Sequence, residues 1–178
     1  GKSTGETIMN LKLKRTPGIY LVGFMGCGKS TIGQLYAEEI GWRFADLDHD
    51  IEADQKSSIS ELFANVGEPE FRRIESAAIH KRIQNVRRGM PTVLSLGGGA
   101  FVGDENIEAL SENGVTVWIN TPFEVMAERV RSHDHRPLAR DPDQFRKLYE
   151  TRLRHYHRAE YHVEVPHGDS RAAVRTLI

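Results

Sequence analysis

Residues 23–30 read Gly-Phe-Met-Gly-Cys-Gly-Lys-Ser, which satisfies every fixed position of the pattern G-x-x-x-x-G-K-[ST]. The flanking segments agree with it. Gly18-Ile19-Tyr20-Leu21-Val22 is a short apolar, β-branched run that reads as a buried strand, and residues 31–40 have helical spacing. A strand, a glycine loop and a helix N-terminus form an anion cradle, because the first N–H groups of a helix lack internal partners and the peptide dipoles favour negative charge. Gly23, Gly26 and Gly28 let backbone N–H groups converge on a polyphosphate without side chains intervening. In that cradle Lys29 neutralises the β and γ phosphates and the Ser30 hydroxyl completes a Mg2+ shell. Cys27 matters there for its backbone rather than its thiol. Gly1-Lys2-Ser3-Thr4 repeats the tetrapeptide at 28–31 but lacks an upstream strand and glycine, and reads as a loose terminus.

A length of 178 residues suits one compact domain with a real core. With 24 Lys plus Arg against 25 Asp plus Glu, no net field recruits nucleic acid or a membrane surface, so any basic function is local. A single cysteine excludes an intrachain disulfide framework. No apolar run reaches the ~20 residues of a membrane span, and no signal peptide is visible. The expectation is a cytoplasmic monomer with small-molecule partners only.

Residues 1–17 are polar and basic without periodicity, and are expected to be a poorly ordered extension ahead of one domain at 18–178. Strands are predicted at 18–23, 43–46, 92–96, 115–120 and 161–165. Helices are predicted at 29–40, 59–65, 69–87, 104–112, 122–132, 142–158 and 169–178. Short strands alternating with helices predict an α/β fold with a parallel sheet covered on both faces. Ligands of such sheets bind beyond the carboxyl ends of the strands, which directs attention to the residues after each one.

After the second strand comes Asp46-Leu47-Asp48. Read as an extended segment, it points both carboxylates the same way, one to support Mg2+ through water and one to reach an acceptor hydroxyl. The competing reading is that these aspartates cap a following helix. At 67–75, Gly-Glu-Pro-Glu-Phe-Arg-Arg-Ile-Glu opens a helix in which Arg72 and Glu75 share a face. That pair is either a surface salt bridge of little consequence or an orienting pair that presents Arg72 to a substrate anion. The third strand runs into Gly97-Gly98-Gly99, which permits close backbone approach to a ligand. Asn120-Thr121-Pro122 reads as an ordinary start of a helix, and no chemistry is assigned to it. Residues 129–142, basic and interrupted by prolines, read as an arginine-rich flap able to bring a guanidinium to a transferring phosphoryl group, against the alternative of a solvated loop. The pairs His133/His135 and His155/His157 are two apart and lack a cysteine partner, which argues against structural zinc.

Taken in order, these signals resemble the shikimate kinase family of P-loop kinases: the loop at 23–31, Asp46-x-Asp48, the block at 67–75, Leu-Gly-Gly-Gly-Ala at 96–100, Arg136-Pro137-Leu138, and Arg152 four residues before Tyr156. The resemblance implies a three-layer P-loop fold, with a five-stranded parallel sheet in order 2-3-1-4-5, a substrate-binding segment at about 48–78 and a lid at about 130–142. It implies ATP as co-substrate with Mg2+, bound by Gly26, Cys27, Gly28, Lys29, Ser30 and Thr31, with Ser30 and Asp46 beside the metal. Asp48 is then the carboxylate that meets the acceptor hydroxyl and acts as base. Arg72 and Arg152 clamp the shikimate carboxylate, Glu75 orients Arg72, and Gly97, Gly98 and Gly99 lie against the ring hydroxyls. Arg136 is the lid arginine on the phosphates, and Arg129 packs on adenine. Cys27 departs from the small Ala or Ser usual at its place. The implied reaction is transfer of the ATP γ-phosphoryl to the shikimate 3-hydroxyl. The rivals are a P-loop kinase for gluconate or a nucleoside monophosphate, and a nucleotide switch without acceptor chemistry.

Overall fold

The computed structural model describes residues 16–133 and 141–177, together with Leu13. The expectations for most of residues 1–17, and for Arg136 and the lid around it, lie outside the described residues. Five strands form one sheet: β1 Gly18–Val22, β2 Arg43–Asp46, β3 Thr92–Ser95, β4 Val115–Asn120 and β5 Tyr161–Glu164. Every pairing is parallel and the order is β2-β3-β1-β4-β5, as the resemblance implies. The sheet begins a little before β1, since the Pro17 carbonyl accepts the Thr92 N–H at 2.9 Å.

The burial of the strands explains their sequences. β1 and β3 are buried at every residue, so both of their faces are covered, which is why they read as continuous apolar runs rather than alternating ones. The edge strands β2 and β5 are partly exposed and carry Arg43, His162 and Glu164. The intervening helices are α1 Lys29–Ile40, α2 Leu47–Gln55, α3 Ile59–Val66, α4 Glu68–Arg87, α5 Asp104–Glu112, α6 Phe123–His133, α7 Pro142–Tyr156 and, after a 3-10 turn at Pro166–Gly168, α8 Ser170–Leu177. Helix α1 lies close on the sheet because position 33 is glycine: a Cβ there would come within 2.6 Å of the Phe44 ring.

Two local expectations are corrected. Asp46-Leu47-Asp48 is not an extended segment. Strand β2 ends at Asp46, whose Oδ1 accepts the His49 N–H at 3.2 Å and caps α2, a helix absent from the sequence-based assignment. The flap does not begin at 129, because α6 continues to His133 and carries Arg129 and Arg131. Register brings the strand ends level: Leu21 pairs with Ser95, Asp46 pairs with Ser95, and Val22 pairs with Trp118. The loops after β1, β2 and β3 therefore open on one rim of the sheet.

Candidate active site

The loop from β1 to α1 is shaped by two left-handed glycines, Gly26 at φ 82° and Gly28 at φ 89°, a conformation that a side chain disfavours. Gly28 is the N-cap of α1 and supplies no side-chain cap, so no capping side chain takes the first N–H groups of the helix. Lys29 and Ser30 open the helix, and Thr31 is exposed on its first turn. Cys27 is buried, and a Cβ at Gly23 would come within 2.7 Å of its sulfur. Together with the ends of β2 and β3, the loop borders a cleft of about 850 Å³ lined by Lys29, Ser30, Asp46, Asp48, Ser95 and Gly98 among others.

At the base of the cleft the Ser30 hydroxyl donates to Asp46 Oδ2 at 2.9 Å and lies 3.3 Å from the Ser95 hydroxyl. Asp46 therefore does both things the sequence left open: one oxygen caps α2 and the other faces Ser30. Ser95 was not among the sequence candidates. Nothing local marks it, because its partner is 65 residues away and it meets the loop only through sheet register.

The three glycines after β3 each face a different polar side chain. A Cβ at Gly97 would lie 2.7 Å from Asp48 Oδ1, one at Gly98 would lie 3.0 Å from Arg152 Nη1, and one at Gly99 would lie 2.6 Å from both terminal nitrogens of Arg72. None of the three has a positive φ, so close approach rather than backbone shape requires glycine here. In the structure the neighbours are the chain's own aspartate and two arginines.

Arg72 donates to Glu75 at 2.9 Å. Glu75 is 2% exposed, so this is no surface pair: a buried carboxylate holds a guanidinium that remains 33% exposed. Burial raises the Glu75 carboxyl above its ordinary value; Arg72 pulls it down, Asp48 pushes it up, and Arg152 pulls it down. Four side chains from α2, α4 and α7 thus share one electrostatic neighbourhood. Two devices hold it. A bidentate Arg82–Asp50 pair, at 2.6 and 2.7 Å, ties α4 to α2 and so fixes Arg72 relative to Asp48. On α7 the buried Tyr156 hydroxyl donates to the Gly98 carbonyl at 2.7 Å, and burial raises its pKa while Arg152 opposes the rise by charge and hydrogen bond.

Arg129, on α6, donates to the Gly26 carbonyl at 2.9 Å and to the Gly168 carbonyl at 2.8 Å, joining the phosphate loop to the turn after β5. The segment Asn120-Thr121-Pro122 is not merely the start of a helix. Thr121 is buried and its hydroxyl donates to the Cys27 carbonyl at 2.7 Å. The partner is 94 residues away in sequence, which is why no local pattern marks the contact.

A parallel sheet with a glycine loop after its middle strand, a lysine opening the next helix and a serine beside an acidic cap define a P-loop nucleotide-binding protein. The sequence model of the shikimate kinase family matches residues 25–178. The chain is 38% identical over 146 residues to the shikimate kinase of Persephonella marina, covering 82% of this chain and 87% of that one. It is 39% identical over 167 residues to the shikimate kinase of Caulobacter vibrioides, covering 92% and 82%. Among solved structures, shikimate kinase from Acinetobacter baumannii in complex with shikimate superposes with a TM-score of 0.82 at 34% identity, covering 93% of this chain and 92% of that one. This chain belongs to the shikimate kinase family.

Proposed function

We propose that this chain is an ATP-dependent shikimate kinase that transfers the γ-phosphoryl of ATP to the 3-hydroxyl of shikimate, giving ADP and shikimate 3-phosphate. The observation that carries the reading is the convergence of Asp48, Arg152 and Arg72 on successive glycines beside a phosphate loop. A carboxylate and two guanidiniums suit a small hydroxy acid, with the base meeting the hydroxyl and the arginines meeting the acid. A nucleotide switch has no use for such a set, and a nucleoside monophosphate would require a base pocket.

In this reading the polyphosphate lies along the N–H groups of Gly26 and residues 28–31, with Lys29 against its β and γ groups. Ser30 and Asp46 offer only oxygen, the donor type a hard cation selects, and their oxygens are 2.9 Å apart. Among the described residues no group of three or more His, Cys, Asp or Glu could hold a metal by itself, so the cation would be completed by phosphate oxygens. When bound, Mg2+ neutralises charge on those oxygens. Arg72, steadied by Glu75, and Arg152 hold the shikimate carboxylate and fix the ring. Asp48 accepts the proton of the 3-hydroxyl as its oxygen forms the new bond to phosphorus and the bond to the β-phosphate oxygen breaks. Arg136, in the lid, opposes charge on the transferring group, and closure excludes water that would otherwise take the phosphoryl group. Arg129 commits its N–H edge to two carbonyls; a stack on adenine would use its planar face.

Every group in this scheme comes from one chain, so a monomer suffices, and its dependence on ATP fits a cytoplasmic setting. A coupled assay of ADP release with shikimate, gluconate, AMP or no acceptor tests the reading. Turnover that requires shikimate is expected, and ADP release that ignores the acceptor overturns it.

A further inference from the structure

We infer that Thr121 is a positioning residue for the phosphate loop, fixing the peptide between Cys27 and Gly28 so that its N–H faces the nucleotide. This rests on the proposed ATP site and adds a residue to which the sequence assigns no role.

The loop is conformationally soft. Gly26 and Gly28, both left-handed, bracket Cys27, and glycine passes between conformations at little cost. The 27–28 peptide can therefore rotate unless something outside the loop holds it. Within the loop, the Cys27 N–H is taken by the Phe24 carbonyl at 3.1 Å and the Gly28 carbonyl by the Ile32 N–H at 2.9 Å, but neither bond sets the plane between them.

That plane is set from beneath. The Thr121 hydroxyl donates to the Cys27 carbonyl at 2.7 Å. A peptide is planar and trans, so a carbonyl fixed toward the protein fixes the N–H of the next residue on the opposite side. Gly28 stands in the chain between Gly26 and the pair Lys29 and Ser30, all three of which line the cleft. Arg129 holds the preceding carbonyl, donating to Gly26 at 2.9 Å, while the N–H of that peptide stays inside the loop on Phe24. Two successive carbonyls of the loop are thus held from outside by groups on the β4–α6 segment.

Two further features make Thr121 effective. At 1% exposure it is sealed from water, so no solvent molecule replaces the bond if the hydroxyl is lost. Its side chain also serves the loop and not its own helix: at the start of α6 the Pro122 carbonyl accepts the Val125 and Met126 N–H groups, while the Thr121 hydroxyl points to Cys27.

The test is a comparison of Thr121→Val, which keeps shape and removes the hydroxyl, with Thr121→Ser, which keeps the hydroxyl. MgADP affinity by calorimetry, the two KM values and thermal unfolding are read for each, with Thr121→Ala taking the place of the Val variant if that one does not fold. The expected result is MgADP binding weakened about tenfold or more in the Val variant, an equal rise in the ATP KM, an unchanged shikimate KM, and recovery in the Ser variant. MgADP affinity within twofold of wild type in Thr121→Val, a parallel rise in both KM values, or no recovery with Ser would each overturn the inference. Failure of the wild-type protein to bind MgADP would instead overturn the proposed function, so the two failures are distinct.

Discussion

A methyl group added at Gly99 would lie 2.6 Å from both terminal nitrogens of Arg72, and one at Gly97 would lie 2.7 Å from a carboxylate oxygen of Asp48. In each case the obstacle is the far end of a flexible side chain, so the fold yields cheaply while the functional group is displaced. Gly99→Ala is therefore expected to raise the shikimate KM about tenfold, and Gly97→Ala to lower kcat about 100-fold, because small misplacements of reacting groups are costly. Neither should cost more than about 1 kcal/mol of stability, since backbone strain is not at issue. Steady-state kinetics with urea unfolding separates the two effects, and equal losses in stability and activity would contradict them. Glu75 yields a prediction with a sign. Burial raises its carboxyl above the ordinary 4.5, so between that pH and its folded value the native protein holds a proton that the unfolded chain has lost. That contribution is complete below the unfolded pKa and is lost as pH rises through the folded one. The unfolding free energy of wild type minus that of Glu75→Gln should thus fall from about pH 4 upward. A rise over that range would show that pairing with Arg72 outweighs burial.

At the scale of elements, the phosphate loop is fastened to the helices on either side of residues 134–140. Phe24, 1% exposed, packs 5.0 Å from Phe145 and 5.3 Å from Tyr149 on α7, and both of those rings meet Phe123 on α6, at 5.6 and 5.1 Å. Phe24→Ala should cost about 3 kcal/mol in chemical denaturation, and it should weaken MgADP binding more than shikimate binding because the loop loses its anchor. This scale also shows what a sequence discloses. The strands and most helices were legible because β1, β3 and β4 are buried runs and the long helices are periodic. Helix α2 was not: Leu47 and Ile51 are its only fully buried residues, and its first turn carries two aspartates. It forms because Asp46 caps it and Arg82 grips Asp50 from α4, and the second of these is a tertiary contact. The place of Lys29 at the start of α1 was legible through motif spacing, and the Arg72–Glu75 pair through its helical spacing. Ser95, Thr121 and the Tyr156–Gly98 bond were not, because each acts on a partner brought near only by the assembled fold.

For the molecule as a whole, the proposed function divides the rim of the sheet into a donor side and an acceptor side that open on one cleft. The donor side is the β1–α1 loop backed by Thr121 and Arg129, both on the β4–α6 segment. The acceptor side is built on α2, α4 and α7, with Asp48, Arg72 and Arg152 gathered over residues 97–99. The two arginines approach from different helices, so in the proposed function neither replaces the other, and a planar carboxylate between them would be held in orientation as well as in place. Arg72→Ala and Arg152→Ala should therefore each weaken shikimate binding about 30-fold or more, the scale of a lost charge-assisted pair, while MgADP affinity stays within about twofold. Calorimetric titration of each variant with each ligand decides the matter. A joint loss of both affinities would mean that the arginines support the whole cleft instead of the acid alone, and no loss in either would mean that the carboxylate lies elsewhere.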